Sequence, residues 1–167
     1  DFEGFGMIHA CAPLIEAGRV RFFVVDGNDW ESWTNQGVSL ADRARRHLDY
    51  DRYVMEEVVP FAQARSGRGK LWTTGCSMGA FHAANFFFRR PDVFDGVIGI
   101  SGLYDVTTFV GDFCNDDVYF NSPLRYLEGD HARAVWDPTA APPEPGRGRI
   151  WVATGRLSQG FRAPDWR

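Results

Sequence analysis

Gly75-Cys76-Ser77-Met78-Gly79 reads G-x-S-x-G, the arrangement in this chain most directly tied to a chemical step. The β-prone run Leu71-Trp72-Thr73-Thr74 precedes it, and Ala80, Phe81, His82, Ala83, Ala84, Asn85 and Phe86 follow with helical character. Strand, turn and helix in that order are the setting of a nucleophile elbow. A hydroxyl becomes a useful nucleophile when a tight, strained turn presents it, and Ser77 occupies the tip. The glycines two residues to either side, Gly75 and Gly79, are expected to let strand and helix approach without a Cβ clash. The Met78 N–H then opens a helix, where a backbone donor is available to an oxyanion. Cys76 precedes the nucleophile and is expected to be a small buried side chain. A thiol nucleophile at Cys76 is the alternative, but the elbow puts Ser77 at the tip.

The elements that must position this turn can be traced along the chain. From Phe5 to Ala17 the apolar residues recur at helical spacing, and Gly18 is a fitting stop. Val20-Arg21-Phe22-Phe23-Val24-Val25 predicts a buried strand ending in the turn Asp26-Gly27-Asn28, where Asp26 caps the turn. Residues 29–35 form a loop at its carboxyl end. Leu40 to Ala64 predicts one or two amphipathic helices, with Pro60 kinking or ending the last. Further strands are expected around Val97-Ile98-Gly99-Ile100-Ser101-Gly102 and Ile150-Trp151-Val152-Ala153-Thr154-Gly155. Residues 125–149, rich in Arg, Ala, Pro and Gly, predict an irregular or lid-like excursion.

Alternation at this spacing implies one α/β domain spanning 1–167, with a mostly parallel sheet and helices on both faces. Ligands bind such sheets beyond the carboxyl ends of the strands. Residues 26–33, Ser77 and residues 101–105 all fall at those ends. Trp30 and Trp33 are candidates to line the pocket, with packing over the sheet edge as the alternative.

Composition narrows the class. With 18 basic and 22 acidic side chains the net charge is −4, which argues against a nucleic-acid surface. Three cysteines without metal-ligand spacing argue against a disulfide framework or a zinc site. No apolar run reaches membrane-spanning length and no leader opens the chain, so a cytoplasmic protein is the default expectation.

The elbow, its helix and Asn85-Phe86-Phe87-Phe88-Arg89-Arg90-Pro91-Asp92-Val93-Phe94-Asp95-Gly96-Val97, with the later Ser101-Gly102, resemble the putative-esterase (esterase D-like) family of α/β-hydrolases. The resemblance runs from about Phe5 to Pro123. It implies hydrolysis of a small-molecule carboxylic ester through an acyl-enzyme on Ser77, with no metal or organic cofactor. An acyltransferase using the same nucleophile, or a non-catalytic binding domain, are the alternatives.

The family pattern is not complete. An α/β-hydrolase triad follows the chain order nucleophile, acid, histidine. His9 and His47 precede Ser77, His82 lies on the elbow helix, and His131 comes before the Ile150 strand. None stands in the histidine position, so surface or core packing is expected for all four. Asp165 follows the Ile150 strand and is the candidate acid. The family places a strand and an oxyanion loop before the first helix, and the second oxyanion N–H would come from that loop. The expectation is a domain truncated at both ends. The altered composition beyond Pro123 is also what a disturbed reading frame would produce.

Overall fold

The computed structural model describes residues 3–4 and 6–128, together with the backbone of 150–153. Its central element is helix α5, Met78–Arg89, in which every residue from Ala80 to Phe87 is buried. Apolar side chains occupy most of its circumference, so it packs on several sides at once. It lies between strand β1, Leu71–Cys76, and strand β2, Phe94–Ile100, in a strand–helix–strand unit. The two strands pair in parallel, with Thr73 opposite Val97 and Gly75 opposite Gly99. Strand β3, Ile150–Ala153, pairs in parallel with the other edge of β2, and the sheet order is β1-β2-β3. The expected parallel α/β arrangement is therefore present in a small sheet.

Helices α1, Met7–Ala10, and α2, Ala12–Glu16, replace the single helix expected over Phe5–Ala17. Pro13 stands in the first turn of α2 and has no N–H to continue α1. The stop at Gly18 is as expected, with a left-handed φ of 65°. Ser39 caps helix α3, Leu40–Tyr53, by accepting from the Asp42 N–H at 3.1 Å. A π-helical turn over Val54–Val58 leads into helix α4, Val59–Ser66. Pro60 stands in the first turn of α4, so the missing N–H is absorbed there by local widening without a break. Gly67, at φ 66°, ends it.

Two clusters hold these elements. Tyr50, Val54 and Val59 pack with Ala83, Phe86 and Phe87 of α5 and with Phe94 and Val97 of β2. Trp33 and Ala44 pack with Phe81 and with Val106, Val110 and Val118. The last three come from helices α6, Thr107–Val110, and α7, Asp116–Tyr119, and the turn before α6. Helix α8, Pro123–Tyr126, follows, and the rest of the expected 125–149 excursion lies largely outside the described residues.

One expectation needs correction, and a second is not met among the described residues. Residues 20–25 form no strand of the described sheet. Their β-branched pattern fits a sheet position, but the described sheet consists of β1, β2 and β3. Among the described residues, one face of the sheet is left partly open. Trp72 and Ile98 keep 46% and 39% of their surface exposed, and they line an open cavity together with Ile15 of α2.

Candidate active site

Ser77 links β1 to α5 and is exposed. Its backbone sits at φ 54°, ψ −117°, outside the ordinary regions for a residue with a Cβ. Such a conformation costs about 1–3 kcal/mol and persists only where the surroundings impose it. The imposing contacts are identifiable. The Ser77 N–H donates to the Ile100 carbonyl at 2.9 Å, tying the turn to the end of β2. The Ser77 carbonyl accepts from the Ala80 and Phe81 N–H groups, starting the helix. Ser101, at the end of β2, is the other non-glycine residue with positive φ among those described, at 49°.

The glycines of the motif play unequal parts. A Cβ on Gly75 would stand 2.2 Å from the backbone carbon and oxygen of Gly79, so only glycine fits. A Cβ on Gly79 would meet nothing within 4 Å. The close approach expected at both glycines is therefore demanded of Gly75 alone. On β2 and just after it, Gly99 and Gly102 leave room for Tyr104, whose hydroxyl would lie 2.4 and 2.5 Å from a Cβ at those positions.

The Met78 N–H lies in the first turn of a 12-residue helix, where no intrahelical acceptor exists. It is a backbone donor on the residue that follows Ser77. Cys76 is exposed, against the expectation that it is buried. Strand alternation buries Gly75 and turns Cys76 outward at the open edge of β1. Ser77, Met78, Cys76 and Asp26 all line one large cavity of about 1540 Å³.

The two tryptophans separate. Trp30 is 87% exposed and lines that cavity. Trp33 has no exposed surface and packs edge-on against Phe81, so it offers nothing for a ligand to touch.

A buried polar network beneath the elbow was not legible beforehand. His82 Nε2 lies 3.0 Å from Asp29 Oδ1, so the imidazole donates to the carboxylate. His82 stacks on His47 with ring centroids 5.2 Å apart. His47 Nε2 donates in turn to the Asn121 amide oxygen at 3.1 Å. Arg89 also donates to that oxygen and pairs with Asp51 at 3.3 Å. Burial holds the His47 imidazole well below its usual range, and the charges of His82 and Arg89 act in the same direction. Burial pushes the Asp51 carboxyl up, opposed by Arg89. Asp29 and His82 lie 53 positions apart, and only the fold unites them.

His47 and His82 make their hydrogen bonds to Asn121 and Asp29. Among the described residues no hydrogen bond reaches the Ser77 hydroxyl. His9 is exposed on α1, and His47 and His82 are buried in the core, as packing residues would be. His131 and Asp165 lie outside the described residues. Among the described residues no group of three or more His, Cys, Asp or Glu could hold a metal ion, and no helix is long and apolar enough to cross a membrane. The family model described as putative esterase matches residues 15–165. No curated protein and no solved structure matches the chain.

Proposed function

This chain belongs to the putative esterase family, and on that premise we propose a serine esterase acting on small-molecule carboxylic esters through an acyl-enzyme on Ser77. The observation that carries this reading is the strained backbone of Ser77 at the head of α5, exposed to a cavity and next to a helix-terminal N–H. In the proposed reaction the Ser77 Oγ attacks the ester carbonyl carbon and gives its proton to a histidine base. The carbonyl oxygen, now an oxyanion, is held by the Met78 N–H and by a second N–H from a loop before α1. Collapse expels the alcohol, which takes the proton back. Water then attacks the acyl-enzyme by the same route and releases the acid.

The base and the second donor are assigned to polypeptide beyond these 167 residues, so that the sequence is a truncated domain. Asp165 is the proposed acid, and Trp30 is proposed to flank the acyl or alcohol group. Loss of the base costs several orders of magnitude even when binding survives. Purified 1–167 is therefore expected to hydrolyse p-nitrophenyl acetate barely above the uncatalysed rate, and the longest natural form of the protein to hydrolyse it readily. Robust turnover by 1–167 that Ser77→Ala abolishes would show that this chain already holds its base.

One observation favours a second reading, a non-catalytic binding domain: no described histidine is hydrogen-bonded to Ser77. That reading requires the longest natural form to be inactive as well. A competing alcohol that diverts the product to a new ester would instead identify an acyltransferase.

A further inference from the structure

Among the described residues two that are not glycine have a positive φ, Ser77 at 54° and Ser101 at 49°. They occupy equivalent places. Cys76 and Ile100 are the last register pair of β1 and β2, and the two serines follow them directly. The Ser77 N–H donates to the Ile100 carbonyl at 2.9 Å, so the chains are still side by side there. Neighbouring strands stand about 4.8 Å apart. Both serines are exposed, at the carboxyl edge of the sheet where ligands bind.

The backbone at Ser101 is held on both sides. The carbonyl before it is taken by the Ser77 N–H. After it, Gly102 lies so close to α5 that a Cβ there would stand 2.8 Å from the Ala80 Cβ and 2.4 Å from a Tyr104 ring carbon. A left-handed residue in such a place is ordinarily glycine, which adopts it without a Cβ penalty. Serine could offset the penalty by bonding locally, yet among the described residues the Ser101 hydroxyl makes no hydrogen bond. Strain of this kind clusters at ligand sites, and here it presents an idle polar group. Ser77 shows the same combination one strand away.

The two serines divide the space at the sheet edge. The cavity of about 1540 Å³ reaches Ser77 from the side of residues 20–27, whereas Ser101 stands on the β2 side. An ester with its carbonyl at Ser77 and one arm in the cavity extends its other arm over Ser101.

We propose that Ser101 is a specificity-determining residue whose hydroxyl hydrogen-bonds an oxygen on that second arm. The strand spacing places this oxygen about two to four bonds from the carbon that Ser77 attacks. The substrate class is therefore an ester bearing an ether, hydroxyl or carbonyl oxygen on the arm away from the cavity. A purely hydrocarbon arm would cover the Ser101 hydroxyl without offering it a partner, which costs binding. The proposal rests on the reading of Ser77 as the nucleophile.

The test is a selectivity ratio measured on the longest natural form of the protein. Two matched pairs of esters differ by one oxygen in place of a methylene group. p-Nitrophenyl methoxyacetate against p-nitrophenyl butyrate varies the acyl arm, and 2-methoxyethyl acetate against butyl acetate varies the alcohol arm. In one of the pairs the kcat/KM ratio, oxygen over methylene, is expected to fall by roughly threefold to tenfold in Ser101→Ala, the worth of one neutral hydrogen bond. A loss of folded protein lowers both members of a pair alike and leaves the ratio unmoved. Ser101→Gly should lose the same preference while melting about 2–4 °C above Ser101→Ala, since it alone is free of the Cβ penalty.

Unchanged ratios in both pairs overturn the proposal, as does a glycine variant that keeps the native preference. A glycine variant that melts no higher than the alanine one also overturns it, because Ser101 then carries no strain to explain. Native protein without hydrolysis, or hydrolysis that survives Ser77→Ala, removes the reading of Ser77 and the proposal with it. Hydrolysis that Ser77→Ala abolishes, with ratios insensitive to Ser101, removes the proposal alone.

Discussion

Asp29 Oδ1 accepts a hydrogen bond from His82 Nε2 at 3.0 Å, and this contact helps fasten the loop after residues 20–25 to the helix that follows Ser77. The His82 side chain is 7% exposed, so its N–H has little access to water once the carboxylate is removed. Asp29→Ala is expected to cost about 1–3 kcal/mol, the penalty for a buried donor left without a partner. Asp29→Asn keeps an acceptor and should cost less. Urea unfolding of the two variants measures the difference, and equal losses would show that the contact does not hold the loop.

The two glycines of the elbow are expected to respond in opposite ways. Gly75→Ala drives a methyl group into the Gly79 backbone and should destabilise by about 1–3 kcal/mol or more. Gly79→Ala meets open space inside a helix and should be neutral or stabilising by up to about 1 kcal/mol. Thermal melts of both variants decide it.

Gly99 and Tyr104 form a pair that a double-mutant cycle can resolve. The hydroxyl would lie 2.4 Å from a Cβ at Gly99, but the ring carbon that carries it would lie 3.6 Å away, an ordinary contact. Gly99→Ala should therefore cost about 1–3 kcal/mol in the native background and under about 1 kcal/mol in Tyr104→Phe. Gly102→Ala should not be rescued, because there the ring carbon itself would be 2.4 Å away.

The His47 imidazole has a pKa held below its unfolded value of 6.5. The folded state thus binds fewer protons than the unfolded chain below that pH. Stability is complete above the unfolded value and is lost as pH falls from there toward the depressed folded pKa, with a limiting slope of about 1.4 kcal/mol per pH unit. Asp51, raised by burial, acts oppositely from 3.8 upward, since its folded form favours the proton. Between these windows the His47 contribution should be visible as a difference. His47→Gln should flatten the loss of stability between about pH 6.5 and 5 in denaturant titrations. An unchanged slope would mean that His47 charges freely in the folded state.

Much of the fold was legible because its signals were local. The β-prone run before Gly75, the apolar helix after Met78 and the glycines at 18 and 67 each announce an element by their neighbours alone. Residues 20–25 show the limit, since β-branched composition reports a preference for a sheet but cannot supply the adjacent strand. Pro13 splits the first helix, a local effect that the hydrophobic spacing from Phe5 to Ala17 concealed. At the site, Ser77 and the Met78 N–H were readable from the motif. The fate of Trp33, buried while Trp30 stays exposed, depended on where α6 and α7 return. The Asp29–His82–His47–Asn121 chain had no sequence signature, because its members come from four separate segments.

Covalent capture of Ser77 tests the central claim most directly. The longest natural form of the protein is treated with a fluorophosphonate probe, digested, and the modified residue located by mass spectrometry, with Ser77→Ala as control. The account predicts a single adduct on Ser77 that disappears in the variant. An unlabelled Ser77 in a folded protein, or an adduct on Cys76 instead, would contradict it.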